Sequence, residues 1–404
     1  MTEQTASKVP QIRLKGFDRA WEDKTLGELC EPLSYGLNAA AMKFDGANKY
    51  LRITDIDDET RTFSQSDITS PNKELSTAAS YILEPGDIVF ARTGASVGKT
   101  YLYKKEDGRV FFAGFLIRAR KKSNVDEEFL FQNTLLSKYR AFVKLTSQRS
   151  GQPGINAQEY SSYSLNCPSH QEQTQIGEYF RELDSLIGLH QRKHDKLVTL
   201  KKAMLQKMFP QDGVTNPEIR FNGFSENWEK VKLGNVASLI NGRAYSQEEL
   251  LKNGKYKVLR VGNFYTNSSW YFSNMELTDK YYAQTGDLLY TWSASFGPHI
   301  WNDGKVIFHY HIWKIELTNK VCRAFLLQLL ENDKESILSN SNGSAMVHIT
   351  KGGMELKEFL IPHIAEQQKI GTYFRTLDEL ISKHAIQLKK LQQIKSACLE
   401  KMFV

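Results

Sequence analysis

Apolar and seam residues recur along two stretches of this chain at intervals that alternate between four and three positions. One stretch runs through Ile176, Phe180, Leu183, Ile187, His190, His194, Leu197, Lys201, Met204 and Met208. The other runs through Ile370, Phe374, Leu377, Ile381, His384, Leu388, Leu391, Lys395, Cys398 and Met402. The alternation is that of a coiled-coil a/d seam, so each stretch predicts one helix of about 40 residues, ~58 Å long at ~1.5 Å per residue. Neither helix would stand alone in water with that stripe exposed, and packing one on the other covers both. Antiparallel pairing would bring the midpoints together beside His190 and His384, where a polar seam residue can fix register.

Elsewhere the apolar residues come in short runs: 87–91, 110–117, 287–290 and 306–313. These read as strands separated by Gly- and Asp-containing turns, and helical patterns follow at 127–145 and 323–338. A breaker segment at 210–217, with a proline at each end, stops the first long helix. The expected fold class is α/β in the α+β sense. Two mixed, β-rich globular regions stand in pseudo-two-fold arrangement, joined by two long antiparallel helices. The expected order is a disordered tail at 1–9, a globular region at 10–168, a helix at 169–210 and a linker at 211–216. A second globular region at 217–362 and a helix at 363–404 complete it.

The two halves repeat one another. Residues 172–209 and 366–403 align without a gap, and 20 of those 38 positions are identical, too many for chance. Glu172-Gln173 matches Glu366-Gln367, and Ile176-Gly177-x-Tyr179-Phe180-Arg181-x-Leu183-Asp184 matches Ile370-Gly371-x-Tyr373-Phe374-Arg375-x-Leu377-Asp378. Both copies close on Lys-Met-Phe, at 207–209 and 401–403. A second echo opens each half, where Ile12-Arg13, Gly16-Phe17 and Trp21 recur as Ile219-Arg220, Gly223-Phe224 and Trp228. A period near 200 residues exceeds any solenoid unit, so the chain reads as two fused copies of a domain with its helix.

Composition narrows the class. No apolar run approaches the ~20 residues that cross a bilayer. Four scattered cysteines without a C-x-x-C pair predict free thiols in a cytoplasmic protein and argue against a zinc site. A net charge of +7 is compatible with a polyanionic partner without demanding one.

Catalytic signatures are absent. There is no Gly-x-Ser-x-Gly elbow, no His-Glu-x-x-His, no dinucleotide fingerprint and no Asn-Pro-Pro-aromatic methylation motif. The segment Gly94-Ala-Ser-Val-Gly98-Lys99-Thr100 imitates a phosphate loop but has three residues between its glycines where four are needed, so a strand-to-strand turn is expected. His309 and His311 alternate on an aromatic run with no third ligand in view, which reads as hydrogen-bonded surface histidines. Arg52 and Asp55 recur as Arg260 and Asn263, with each arginine alternating with apolar neighbours. Such an arginine should be exposed, to grip phosphate or a guanine edge or else to pair with a nearby carboxylate. Arg92-Thr93 and their counterparts Trp292-Ser293 follow matching strands with different chemistry in each copy, as on a surface reading two different sequences or on a surface loop that has drifted.

These features together resemble the specificity subunit of type I restriction-modification enzymes. The resemblance rests on Gly86-Asp87 and Gly286-Asp287 before small-residue turns, and on the Gly-containing loops 147–156 and 340–350, each leading to a proline. The helix start at Glu172 and Glu366 is its most specific part. It implies two target recognition domains, at 10–168 and 217–362, reading the two halves of an asymmetric double-stranded DNA target. Spacer helices at 169–210 and 363–404 would dock two modification subunits. S-adenosylmethionine, ATP and Mg would belong to those methyltransferase subunits and to restriction subunits, with no cofactor and no catalysis on this chain and no membrane partner. The DNA-binding candidates are Arg52, Arg92, Thr93, Lys99, Gln152, Arg260, Asn263, Trp292, Ser293 and Ser344. The rival readings are a stand-alone bipartite DNA-binding regulator and a P-loop enzyme.

Overall fold

The computed structural model describes residues 9–404 except 212, 266, 294 and 341–348, so the expected tail at 1–9, apart from Val9, and Ser344 lie outside the described residues. The chain forms two compact units that do not follow the sequence halves. One comprises the residues up to Gln191 together with Ile386–Val404, and the other Arg192–Ala385. Each of the two long helices, His170–Met208 and Ile364–Lys401, contributes to both units.

In the first unit a four-stranded antiparallel sheet runs in the order Ser34–Tyr35, Leu116–Arg120, Asp87–Ala91, Thr100–Leu102. All five residues of Asp87–Ala91 are buried, which is why that strand reads as an unbroken apolar run. Its opening Asp87 has no exposed surface. The carboxylate accepts from the Glu84 N–H at 2.8 Å and takes the Arg120 guanidinium in two bonds of 2.8 and 2.9 Å. Gly86 before it sits at φ +90°, and Gly286 in the second unit at φ +92°, so the Gly-Asp pairs mark a turn that only glycine enters without strain. The run 110–117 is two strands. Val110–Phe112 pairs in parallel with Lys49–Leu51, and Leu116–Arg120 crosses to the four-stranded sheet. The turn between them carries the chain from one sheet to the next. The second unit splits 306–313 in the same way, into Val306–Phe308 and Ile312–Leu317.

The long helices run antiparallel within each unit. In the first, Lys395 pairs with Asp184 at 2.7 Å; in the second, Lys201 pairs with Asp378 at 2.6 Å. The lysines at seam positions are thus charge partners of the aspartate in the repeated Leu-Asp. Ile176, Phe180, Leu183, Ile370, Phe374 and Leu377 are buried, whereas Ile187, Leu197, Ile381 and Leu391 are half-buried. The seam is sealed only where a globular core lies against it. His190 belongs to the first unit and His384 to the second, and both are half-buried.

Four aromatic rings centre each core. In the first unit Trp21, Phe129, Phe180 and Phe403 meet at centroid distances of 5.5 to 6.3 Å. In the second, Trp228, Phe325, Phe374 and Phe209 meet at 5.6 to 6.1 Å. The Phe that ends each helix therefore fills the box of the other copy's domain. Around each box the repeated polar residues form one clamp. Arg13 holds the buried Glu172 in two bonds of 2.8 Å, as Arg220 holds Glu366 in two of 2.7 Å. Gln173 and Gln367 donate to the carbonyls of Pro168 and Pro362. A Cβ on Gly177 would meet Asp126 at 2.1 Å, and one on Gly371 would meet the Phe325 backbone at 2.9 Å, so both helices need glycine there.

Truncation of the shared ring should be costly. Phe403→Ala and Phe209→Ala are each expected to lower stability by about 3–5 kcal/mol, read from urea unfolding of the full chain. A loss below ~1 kcal/mol would show that the boxes close without them.

The second unit also holds a half-buried imidazole. His299 lies flat on Phe264 at 4.1 Å and within 3.3 Å of the hydroxyls of Tyr265 and Thr291. Burial, helped by the nearby Lys334 charge, pushes its pKa down from 6.5 to about 4. A histidine with a depressed folded pKa stabilises fully above its unfolded pKa, and that stability is lost as pH falls from 6.5 towards about 4. The urea midpoint should fall across that window, and His299→Gln should flatten the fall. An unaltered slope in the variant would refute this.

Candidate nucleic-acid interface

Both units present the same backbone frame at one end of the four-stranded sheet. In the first, the strand Ser34–Tyr35 ends at Gly36, which donates to the Leu116 carbonyl at 3.1 Å. Leu37 donates to Phe112 at 2.8 Å, and Arg92, just past the strand Asp87–Ala91, donates to Phe115 at 3.1 Å. In the second unit Gly242 donates to Ile312 at 3.1 Å, Arg243 to Phe308 at 3.1 Å and Trp292 to His311 at 3.2 Å. The approach is so close that a Cβ on Gly36 would stand 2.1 Å from the Ala113 carbonyl, and one on Gly242 2.3 Å from that of His309. The frame is therefore fixed by backbone and glycine, and its side chains are left to vary.

They vary fully. At the first tip the Arg92 guanidinium lies over the Tyr35 ring at 4.9 Å, and Phe115 is 63% exposed. The loop 147–156 closes on it: Ile155 donates to Arg92 at 2.9 Å and Gly94 to Pro153 at 3.0 Å. Arg92, Thr93 and Gln152 thus come together as one surface of a cation, an aromatic pair, a hydroxyl and an exposed amide. At the second tip the Trp292 indole stacks on Trp313 at 5.8 Å and donates to the Tyr310 carbonyl at 3.0 Å. His309, Tyr310 and His311 crowd beside it, with ring centroids 3.9 to 5.0 Å apart. Burial, with the charges of His311 and Arg260, pushes His309 down to about 4, and burial lowers His311 as well. Held neutral, each imidazole offers one donor and one acceptor, the pair of functions a base edge requires. Ser293 is paired across its hairpin with Ser295. Among the described residues no cluster of three or more His, Cys, Asp or Glu could hold a metal ion.

The remaining candidates are tied up to different degrees. Arg52 binds Asp55 through two bonds of 2.9 and 2.8 Å and is half-buried. Its counterpart Arg260 faces Asn263, whose side chain accepts only the arginine's backbone N–H, at 3.0 Å. The Arg260 guanidinium lies over Tyr271 at 4.2 Å, and its buried Nε has no hydrogen-bond partner. A single carboxylate-to-amide change thus leaves the second arginine without a counter-ion at that position. Lys99 is 8% exposed, donates to the Ile56 carbonyl at 3.0 Å and meets Asp58 at 2.6 Å. It braces the hairpin turn that the glycine spacing predicts. Tyr35, Gly36, Phe115, Arg243 and Tyr310 carry no motif of their own, although a glycine at nearly the same distance past Trp21 and Trp228, Gly36 and Gly242, is a visible signal.

A family model described as the type I restriction modification DNA specificity domain matches the chain twice, over residues 18–199 and 225–395. The type I restriction enzyme MjaVIII specificity subunit of Methanocaldococcus jannaschii is 23% identical over 347 residues, spanning 81% of this chain and 78% of that protein. A putative MjaX specificity subunit of the same organism is 24% identical over 397 residues, spanning 93% and 90%. The crystal structure of a type I restriction-modification S subunit from M. genitalium matches with a TM-score of 0.70 at 13% identity, over 98% of this chain and 99% of that one. A chain from a structural study of type I complex assembly and conformational transition matches with a TM-score of 0.51 at 17% identity, over 94% and 97%. The structural likenesses speak for the fold, and the two family matches together span most of the sequence. The chain belongs to the type I restriction-modification DNA specificity family.

Proposed function

We propose that this chain is the non-catalytic recognition subunit of a type I restriction-modification complex, reading an asymmetric, bipartite double-stranded DNA target. The carrying observation is the pair of tips: one backbone frame bearing Arg92, Tyr35 and Phe115 in one unit and Trp292, His309 and His311 in the other. A fixed frame with different side chains suits two readers of different short sequences, because direct readout depends on side chains at base edges. Two such contacts add in energy, and the bases between them go unread.

Two modification subunits and the restriction subunits would dock on the long helices. Support comes from apolar side chains on their surfaces, with Tyr179, Leu186 and Leu189 exposed in the first unit and Val198, Leu200 and Leu380 in the second. Those partners would supply S-adenosylmethionine, ATP and Mg, and the target adenine would be flipped into a partner's site.

The decisive experiment is co-expression with the modification subunit followed by mapping of methylated adenines. Arg92→Ala should cost on the order of 1–3 kcal/mol in DNA binding and relax one position of one half-site only. His311→Ala should act on the other half-site alone. If either variant altered both half-sites, or neither altered any, the two-reader assignment would fall. Binding by the isolated chain should weaken steeply with salt as phosphate contacts release counterions. A chain that binds its duplex with full specificity and recruits no methyltransferase would instead be a stand-alone regulator.

A further inference from the structure

The first unit contains a cavity of about 520 Å³ that lies apart from the tip. Its walls are the loop around Arg61, the start of the helix Ser137–Thr146, and the end of the helix Ile364–Lys401. Leu136, Leu399 and Phe403 supply an apolar floor, and four cationic residues line it: Arg61, Lys138, Arg140 and Lys395. The two carboxylates that act on Arg61 from a distance make their bonds elsewhere. Asp58 pairs with Lys99 at 2.6 Å, and Asp57 accepts from the Glu59 and Thr60 backbone N–H groups at 3.0 and 2.7 Å. Asp58, Glu59 and Glu400 also line the cavity, but all three are exposed and none bonds to Arg61.

Arg61 is half-buried, and among the described residues its guanidinium has no hydrogen-bond partner. It is also the one non-glycine described with a left-handed backbone, at φ +57°, a conformation that disfavours a bulky side chain. Burial lowers its pKa and the charge of Arg140 adds to that, while Tyr139, Asp58 and Asp57 pull it the other way. Two guanidinium groups therefore line one cavity, and the carboxylate nearest in effect to Arg61, that of Asp58, is itself paired with Lys99. Lys395 is held by Asp184, which leaves Arg61, Lys138 and Arg140, the last with one bond to the Ser137 hydroxyl at 3.1 Å, to face a ligand. The helix start agrees in sign: its N-cap Leu136 provides no side-chain acceptor, and its first turn carries no acidic residue.

We propose that this cavity binds a tetrahedral oxyanion, a phosphate group carried either by a small molecule or by a nucleic-acid backbone, with Arg61 and Arg140 as its principal ligands. Phosphate suits the site because guanidinium donors match its oxygens in paired geometry and a charged ligand offsets the desolvation of Arg61. The proposal does not require the tips to read DNA, because inorganic phosphate alone tests the site.

The test uses the full chain and two variants. Arg140→Gln lies on an exposed helix surface, and Arg61→Asn removes the cation while asparagine accepts the left-handed backbone. Inorganic phosphate is titrated by calorimetry at constant ionic strength, with chloride as the balancing anion. The wild type should bind, and each variant should bind roughly tenfold more weakly or not at all. In parallel, affinity for a mixed-sequence duplex is measured against salt. Weakened phosphate binding with an unchanged salt slope assigns the site to a free phosphorylated ligand. A slope smaller by about one in the variants assigns it to a backbone phosphate of DNA. Should Arg61→Asn fail to fold, Arg140→Gln decides alone. If Arg140→Gln matches the wild type in both measurements, or the wild type ignores phosphate and the slopes agree, the proposal is overturned.

Discussion

Each unit depends on one aromatic ring that arrives from the other copy's helix. Phe403 closes the box of Trp21, Phe129 and Phe180, and Phe209 closes that of Trp228, Phe325 and Phe374. An aromatic side chain buries ~150–250 Å², so an empty fourth corner would be a large void in a close-packed core. The long helices are therefore walls of both cores rather than rods fastened to finished domains. The buried Glu172 and Glu366 depend on the same geometry. Each is viable out of water only because an arginine from the opening segment of its own half meets it in two bonds.

A rigid frame is what lets the tips diverge. Gly36 and Gly242 press against carbonyls of the neighbouring turn, and the cross-strand bonds from Arg92 and Trp292 use main-chain atoms only. Because the same main-chain bonds recur in both copies under different side chains, the frame accommodates arginine at 92 and tryptophan at 292, alanine at 113 and histidine at 309. The core tolerates no such freedom: Gly177 and Gly371 sit where any Cβ would collide with a neighbour.

The long helices were legible because a seam with 3–4 spacing over ten positions has few alternative readings, and the repeat told which residues to compare. The sequence could not say whose core the closing Lys-Met-Phe would enter, since identity between copies is the same whether a helix end packs at home or across. The strand at 110–117 was read as continuous because both of its parts are buried, and a change of sheet leaves no mark on apolar periodicity. Alternation predicted exposed arginines at 52 and 260, but both are half-buried and they are held differently. The difference lies in Asp55 against Asn263, a change that spacing alone does not interpret. Arg92, Thr93 and Gln152 were found separately, and only the bonds from Gly94 and Ile155 to the 147–156 loop and the strand end unite them.

The exchanged rings also set an order of assembly during synthesis. Phe209 is made before Trp228, Phe325 and Phe374, so every ring of the second box is available once Phe374 has left the ribosome. Trp21, Phe129 and Phe180 must wait for Phe403, long after their own segment has emerged. The domain translated first is thus the one that closes later, and in the interval its apolar corner is open to solvent and to other chains. Crowded polysomes would place many such corners side by side, at a stage when both members of the Arg13–Glu172 clamp have already been made.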